Sequence, residues 1–309
     1  MSSADPSDNK VKIGLALGSG SARGWSHIGV IEALQAHGIE PDIICGCSIG
    51  ALVGASYAAN KITSLEDWVR SLSLLEIARF ASLDTSLNGV INKQRLQKVL
   101  RQFIGDEEFL ISDLQRTFAS VATDLSSGRE IWFTEGRLLD AVWASIALPG
   151  LFPPVRHKNR WLVDGGLVNP VPVSVCRALG ADFVIAVNLN GNLLGRHIDK
   201  PGRTNAEEAE TRWSDKLPWA LGSLKQNSTG ATADEKAPRV FETIASSINI
   251  IQDRITRSRM VGEPPDILIT PELADIGLLE FYRAGECIDE GKQSVHRALP
   301  EIQRFLKTS

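Results

Sequence analysis

The run Gly46-Cys47-Ser48-Ile49-Gly50 sets a serine between two glycines at alternate positions, and it stands between an apolar stretch, Ile43-Ile44-Cys45, and a segment rich in alanine and glycine. A serine held in a sharp strand-to-helix turn, with glycines that let neighbouring backbone come close, presents its hydroxyl as a nucleophile. The helix expected from Ile49 onward would aim its positive end at that hydroxyl and favour negative charge developing beside it. The five-residue pattern alone arises often by chance. The strand expected before it and the helix expected after it lift it above an ordinary structural turn.

Attack on an ester also needs donors for the oxyanion. Gly18-Ser19-Gly20-Ser21-Ala22-Arg23-Gly24 follows a short apolar run, and small residues opening a helix expose successive N–H groups. Phosphate binding is the competing chemistry, but no Lys-Ser or Lys-Thr follows the last glycine, and Arg23 stands where a dinucleotide turn has its third glycine. A base must complete the set. The five histidines are poorly placed: His27 and His37 on the first helix, His157 in a polar turn, His197 in a polar stretch and His296 in the tail, all reading as surface or helix-face polarity. Asp164 is better situated, after an apolar strand and before Gly165-Gly166, where a carboxylate can be held at the edge of a sheet. Partial burial would raise its pKa and suit it to accept a proton from serine directly. It reads equally well as a turn residue capping its own glycines. Asp124, also at a strand end, is explained by its turn to Gly128.

The elements that must position these groups alternate. Residues 12–17 read as a buried strand, 24–37 as a helix stopped by Gly38, and 43–45 as a second strand, after which Ser48 turns the chain into a second helix. Strand, helix, strand, helix implies parallel strands with crossover helices, and hence a three-layer α/β/α fold around a mostly parallel central sheet. Residues 65–109 read as mostly helical. Residues 118–123 and 130–133 read as a hairpin, 148–155 as loop because of its prolines, 160–163 as a short strand, and 183–189 as a strongly apolar one. A helix through Ile244, Ile248, Ile251 and Ile255, a last strand at 266–270 and a helical tail close the chain. The domain reading is a catalytic core at 11–190, a polar flexible insert at 191–238, and a C-terminal helix-strand-helix segment at 239–309 packing on the core. Trp213, Leu217, Trp219, Leu221 and Leu224 punctuate the insert, as a hydrophobic lid or as one amphipathic turn packed on the body.

Composition excludes other classes. The chain has 309 residues, 43% hydrophobic and 23% charged, enough for a substantial core. A net charge of −4 with no long run of one sign leaves no footprint for nucleic acid. The first ten residues hold no apolar segment, and no stretch approaches the length of a spanning helix, so a cytoplasmic protein, at most peripheral at a membrane, is expected. Cys45 and Cys47 have no second pair to complete a zinc site, and the four cysteines read as buried reduced thiols.

Taken in order and spacing, the glycine-rich turn with Arg23, the Gly46–Gly50 elbow and Asp164-Gly165-Gly166 resemble the patatin-like phospholipase family. Ser145, Ala147, Pro149, Gly150 and Phe152-Pro153-Pro154 are similar to its proline-containing block, and Ala122-Thr123-Asp124-Leu125 to another recurring stretch. The run from Gly14 through Trp25 and the stretch at 266–271 look most like the bacterial RssA-like group related to neuropathy target esterase. The resemblance implies a Ser48 and Asp164 dyad, an oxyanion hole from the backbone of Ser19, Gly20 and Ser21 with Arg23 near it, and supporting glycines Gly46, Gly50, Gly165 and Gly166. It implies acyl hydrolysis of phospholipids, lysophospholipids or simple carboxylic esters, without metal or cofactor. Ser19 and Ser21 stand where the family usually has glycines. Their side chains could crowd the hole, and a regulatory or adaptor protein of low turnover is the alternative reading.

Overall fold

The computed structural model describes residues 11–80, 93–191 and 240–308. The expected insert and its apolar cluster lie outside these residues, apart from its first residue, Gly191.

Strands β1 (Ile13–Leu17), β2 (Ile43–Cys47), β3 (Thr117–Asp124), β4 (Glu130–Phe133), β5 (Val155–His157), β6 (Arg160–Asp164), β7 (Phe183–Val187) and β8 (Ile267–Ile269) form one sheet. β8, β7, β1, β2 and β3 are neighbours in that order, all parallel. β4 and β6 run antiparallel to β3, and β5 antiparallel to β6. β1, β2 and β7 are buried at every position, as strands covered on both faces must be. Their side chains divide with period two. Leu15, Leu17, Ile44, Ile185 and Val187 enter one apolar core, while Ala16, Ile43, Cys45, Val184 and Ala186 enter a second, smaller one.

The larger core is closed by α1 (Ser26–Ala36), α2 (Ile49–Ala58), α3 (Ile62–Ser71), α5 (Lys93–Ile104), α6 (Leu138–Ser145) and α9 (Ala284–Thr308), with α4 (Leu74–Phe80) beside α3 in the chain. The smaller core is covered by α7 (Val173–Ala178) and by Met260 of α8 (Val240–Gly262). The layers are therefore helix, sheet, helix, as the alternation predicts. α1 and α9 pack backbone to backbone: a Cβ on Gly29 would run into the Ile288 carbonyl, and one on Gly291 into the Ser26 carbonyl. Two local expectations are corrected. The first helix is preceded by a 3-10 turn over Ser21–Trp25, because Ser21 takes a left-handed φ of 52° and Ala22 donates to the Leu278 carbonyl rather than into a helix. The proline block ends in strand, since Val155–His157 pairs with β6 through a two-residue turn. Among the described residues no helix is long and apolar enough to cross a membrane.

The register around β3 determines what meets what. Ser120 and Val121 pair with Gly46 and Cys47 of β2, and also with Phe133 and Trp132 of β4. Ala122 and Thr123 pair with Ile131 and Glu130 of β4, and also with Asp164 and Val163 of β6. A strand has only two edges. β4 holds one, so β2 and β6 lie end to end along the other, running toward each other. β2 stops opposite Val121 and β6 opposite Ala122, which brings Ser48 and Asp164, more than a hundred residues apart, to one spot.

Candidate active site

Ser48 Oγ donates to Asp164 Oδ2 at 2.5 Å, and both residues are buried, Ser48 at 8% exposure and Asp164 at 0%. Ser48 has φ 56° and ψ −123°, a conformation that side-chain-bearing residues rarely adopt. The flanking glycines explain how the turn fits. A Cβ on Gly46 would collide with the Ala51 backbone, and one on Gly50 with the carbonyls of Leu17 and Gly18. Gly24 is likewise pressed on Ile49. The glycine-rich loop and the start of α2 thus touch. Ser48 N–H itself donates to Ser145 Oγ at 2.9 Å, so the last residue of α6 pins the turn from behind.

Asp164 is fixed at every polar atom. Its Oδ1 accepts from Gly166 N–H at 2.7 Å, its N–H donates to the Ala147 carbonyl at 3.0 Å, and its carbonyl accepts from Thr123 Oγ1 at 2.8 Å. It therefore both caps its own glycines and reaches the serine; the two readings of the sequence are compatible. Gly165 abuts the Val121 carbonyl and Cys47 Sγ, which leaves no room for a side chain. Burial pushes the Asp164 carboxyl up to about 6, against the opposing pull of the hydrogen bonds from Ser48 and Gly166. At neutral pH such a group is ionised yet more basic than an ordinary aspartate.

In the loop after β1, Ser19 N–H donates to the Pro170 carbonyl at 2.8 Å, which removes it from the expected donor set. Among the described residues none accepts from the N–H of Gly20, Ser21 or Ile49. The serine side chains are tied back, Ser21 Oγ to the Leu278 carbonyl at 2.6 Å and Ser19 Oγ to Gln252 Oε1 at 3.3 Å. Arg23 is buried, with Nε donating to the Gly20 carbonyl at 3.3 Å and Nη2 to Asn249 Oδ1 at 3.0 Å. It braces the loop against α8.

His27 is corrected. It is fully buried, its Nε2 lies 2.8 Å from the Gly18 carbonyl, and burial lowers its pKa to about 4, so it stays neutral and donates to the loop. His157 packs against Phe133 and His37 against His296, while His197 lies outside the described residues. Asp124 accepts from Ser126 N–H and Oγ at 3.0 and 2.7 Å and serves its turn. All four cysteines are buried free thiols, and burial holds Cys47, next to Ser48 in the chain, well above the ordinary thiol range.

Three side chains enter the site to which the sequence assigned no part in its chemistry. Gln252 of α8 accepts from Ser19 Oγ and from Asn190 Nδ2 at 3.0 Å, and its Nε2 faces Gly166. Asn190, just beyond β7, also reaches the Ser19 carbonyl at 3.4 Å. Ser145 is the third.

Similarity to known proteins follows this geometry. Residues 15–177 match the family model for patatin-like phospholipase, a span that runs from β1 through α7 and contains the loop, the elbow and Asp164. An uncharacterized NTE family protein of Mycobacterium tuberculosis is 31% identical over 339 residues, covering 94% of this chain and 92% of its own. Patatin-like phospholipase domain-containing protein 6 of Mus musculus is 32% identical over 185 residues, covering 57% of this chain and 13% of that protein. The crystal structure of VipD from Legionella pneumophila aligns with a TM-score of 0.49 at 13% identity, over 94% of this chain and 67% of that one. With the family model spanning more than half the residues and the mycobacterial relative nearly all of them, the chain belongs to the patatin-like phospholipase family.

Proposed function

We propose that the protein is a serine hydrolase of carboxylic ester bonds in lipids, with Ser48 as nucleophile and Asp164 as base. The observation that carries this reading is the 2.5 Å hydrogen bond between a strained serine and a buried carboxylate whose pKa burial raises to about 6. As Ser48 Oγ attacks the ester carbonyl carbon, its proton passes to Asp164 Oδ2. The oxyanion is received by the N–H groups of Gly20, Ser21 and Ile49 at the amino end of α2. Collapse breaks the bond to the leaving alcohol, which takes the proton from Asp164. Water then gives a proton to Asp164 and attacks the acyl-serine, and return of that proton to Ser48 Oγ releases the fatty acid. The steps use only groups of this chain and a water. Arg23, His27, Ser145 and Gln252 hold the loop and elbow in register. Membership of the patatin-like phospholipase family supports an acyl lipid as substrate.

The adaptor reading rests on Ser19 and Ser21. Their hydroxyls are engaged with Gln252 and Leu278, which favours an open hole and therefore turnover. A fluorophosphonate probe tests this: the expected result is a stoichiometric adduct on Ser48, absent in Ser48→Ala. A folded protein that takes up no probe would establish the adaptor reading.

A further inference from the structure

The sheet does not end level with the site. Val121 is opposite Cys47, and β3 continues past it to Asp124, roughly 10 Å of extended chain at about 3.3 Å per residue, before Leu125 enters the turn. β6 is paired along this extension, and Leu125 N–H donates to the Trp161 carbonyl at 2.8 Å. Two turns therefore project beyond the end of the sheet at which Ser48 sits, one at 126–128 and one at Lys158-Asn159. In the same register Trp161 pairs with Arg156 of β5, whose guanidinium carbon lies 5.6 Å from the indole centre. Leu125 just past the end of β3, Trp161 of β6 and Arg156 of β5 lie side by side, with Leu125 56% and Trp161 50% exposed.

We propose that this projecting tip is a docking surface for an anionic lipid bilayer, and that it sets the mouth of the site against the membrane. Charge is the first argument. The whole chain carries −4, yet the two tip segments, 124–129 and 156–161, hold Arg129, Arg156, Lys158 and Arg160 against Asp124 alone. Asp124 is committed to Ser126, and the nearby Glu130 is turned to Arg259 of α8. Of the tip cations, Lys158 approaches Glu135 no closer than 3.9 Å, and Arg160 approaches Asp124 no closer than 3.9 Å. Chemistry is the second argument: an exposed indole with a cation over its face suits the boundary between headgroups and acyl chains. Backbone is the third. Lys158 and Asn159 both hold left-handed φ, 43° and 63°, giving the tight two-residue hairpin turn. Glycine would meet that demand most readily, and a lysine there places its charge on an exposed hairpin turn, with 76% of its side chain open to solvent. Lipid as the occupant rests on the hydrolase reading above, but binding can be measured without turnover.

The experiment uses the full chain carrying Ser48→Ala, sedimented with vesicles of pure phosphatidylcholine and of equal parts phosphatidylcholine and phosphatidylglycerol. The protein is expected to partition to the anionic vesicles and to be released by salt. Lys158→Ala with Arg160→Ala is expected to lower partitioning about 25-fold, roughly five-fold per cation. Trp161→Ser is expected to lower it as well. With Ser48 intact, these variants should hydrolyse a short soluble ester at the unaltered rate, which shows that they fold, and lose activity on vesicle-borne ester. Failure to sediment with anionic vesicles at low salt, or undiminished sedimentation of the double variant, would overturn the proposal. So would a dimer in solution that Trp161→Ser dissociates, since the tip would then be a face between copies. Loss of probe labelling at Ser48 with vesicle binding intact would refute the hydrolase reading and leave the docking surface standing.

Discussion

Replacing Asp164 by asparagine should abolish hydrolysis and at the same time stabilise the fold, by an amount that depends on pH. The carboxyl has no exposure, and burial raises its pKa from 3.8 to about 6. Folding therefore favours the protonated form, so the stability this group contributes is complete at low pH and is lost as pH rises through about 6. A shift of roughly two units corresponds to about 3 kcal/mol of strain between the buried charge and the fold at pH 8. At pH 5 the same linkage leaves about half of that, because the native carboxyl is already mostly protonated while the unfolded one is not. Asparagine keeps the shape: its oxygen can accept from Gly166 N–H, and its amide can donate to Ser48 Oγ. Asp164→Asn should thus unfold about 3 kcal/mol later than the parent at pH 8, near 5 °C for a chain of this length, and by about half that at pH 5. Urea denaturation of both proteins at the two pH values measures the difference, and the buried His27 cancels because both contain it. A stability difference independent of pH, or an asparagine variant less stable than the parent at pH 8, would show that the carboxylate is not buried at a penalty, and the account of its basicity would fail with it.

Two further outcomes follow from the same geometry. Because Asp164 must be ionised to take the serine proton, kcat/KM on a soluble ester should fall below an apparent pKa of about 6, with a slope of one proton; a limb near 4 would point to an unperturbed carboxylate. Gln252→Leu removes the acceptor shared by Ser19 and Asn190, so kcat should drop about 10- to 100-fold by misplacement of the oxyanion donors while KM changes little; an equal loss after Asn249→Ala alone, with Gln252→Leu silent, would assign the bracing to Arg23 instead.

What the sequence made legible follows from how much each signal depends on distant partners. β1, β2 and β7 are apolar at nearly every position because helices cover both faces, and such runs stand out unaided. The Gly46–Gly50 elbow is local geometry, and its glycines can be read from the turn that needs them. Val155–His157 carries no strand signal because three residues with an arginine and a histidine, next to prolines, show neither alternation nor apolar content; pairing to β6 makes it a strand. His27 is illegible for the opposite reason. α1 is enclosed by the sheet and α9, so its buried positions do not follow an amphipathic stripe, and a histidine there finds the Gly18 carbonyl instead of water. Gln252 leaves no trace in the pattern: α8 buries Gln252, Asp253 and Thr256 while Ile251 is 47% exposed, so the isoleucine spacing points away from the face that meets the site, and only the partners on the loop and Asn190 bring the glutamine inside.

The position of Asp164 shows where inference from pattern stops and topology begins. A carboxylate at the carboxyl end of a strand is expected near the nucleophile if that strand runs parallel to β2, since parallel strands end on the same side. β6 runs the other way. In an ordinary sheet its carboxyl end would then lie at the opposite side from Ser48. The two residues meet because β6 does not flank β2 but continues the line that β2 leaves off, on the same edge of β3, so that the two strands end facing each other across Val121 and Ala122. That arrangement requires β3 to outrun β2, which residues 117–124 do against 43–47. The length of β3 is thus a condition of the site, and the overhang that lets β6 approach is the same overhang that carries Leu125 and Trp161 out beyond it.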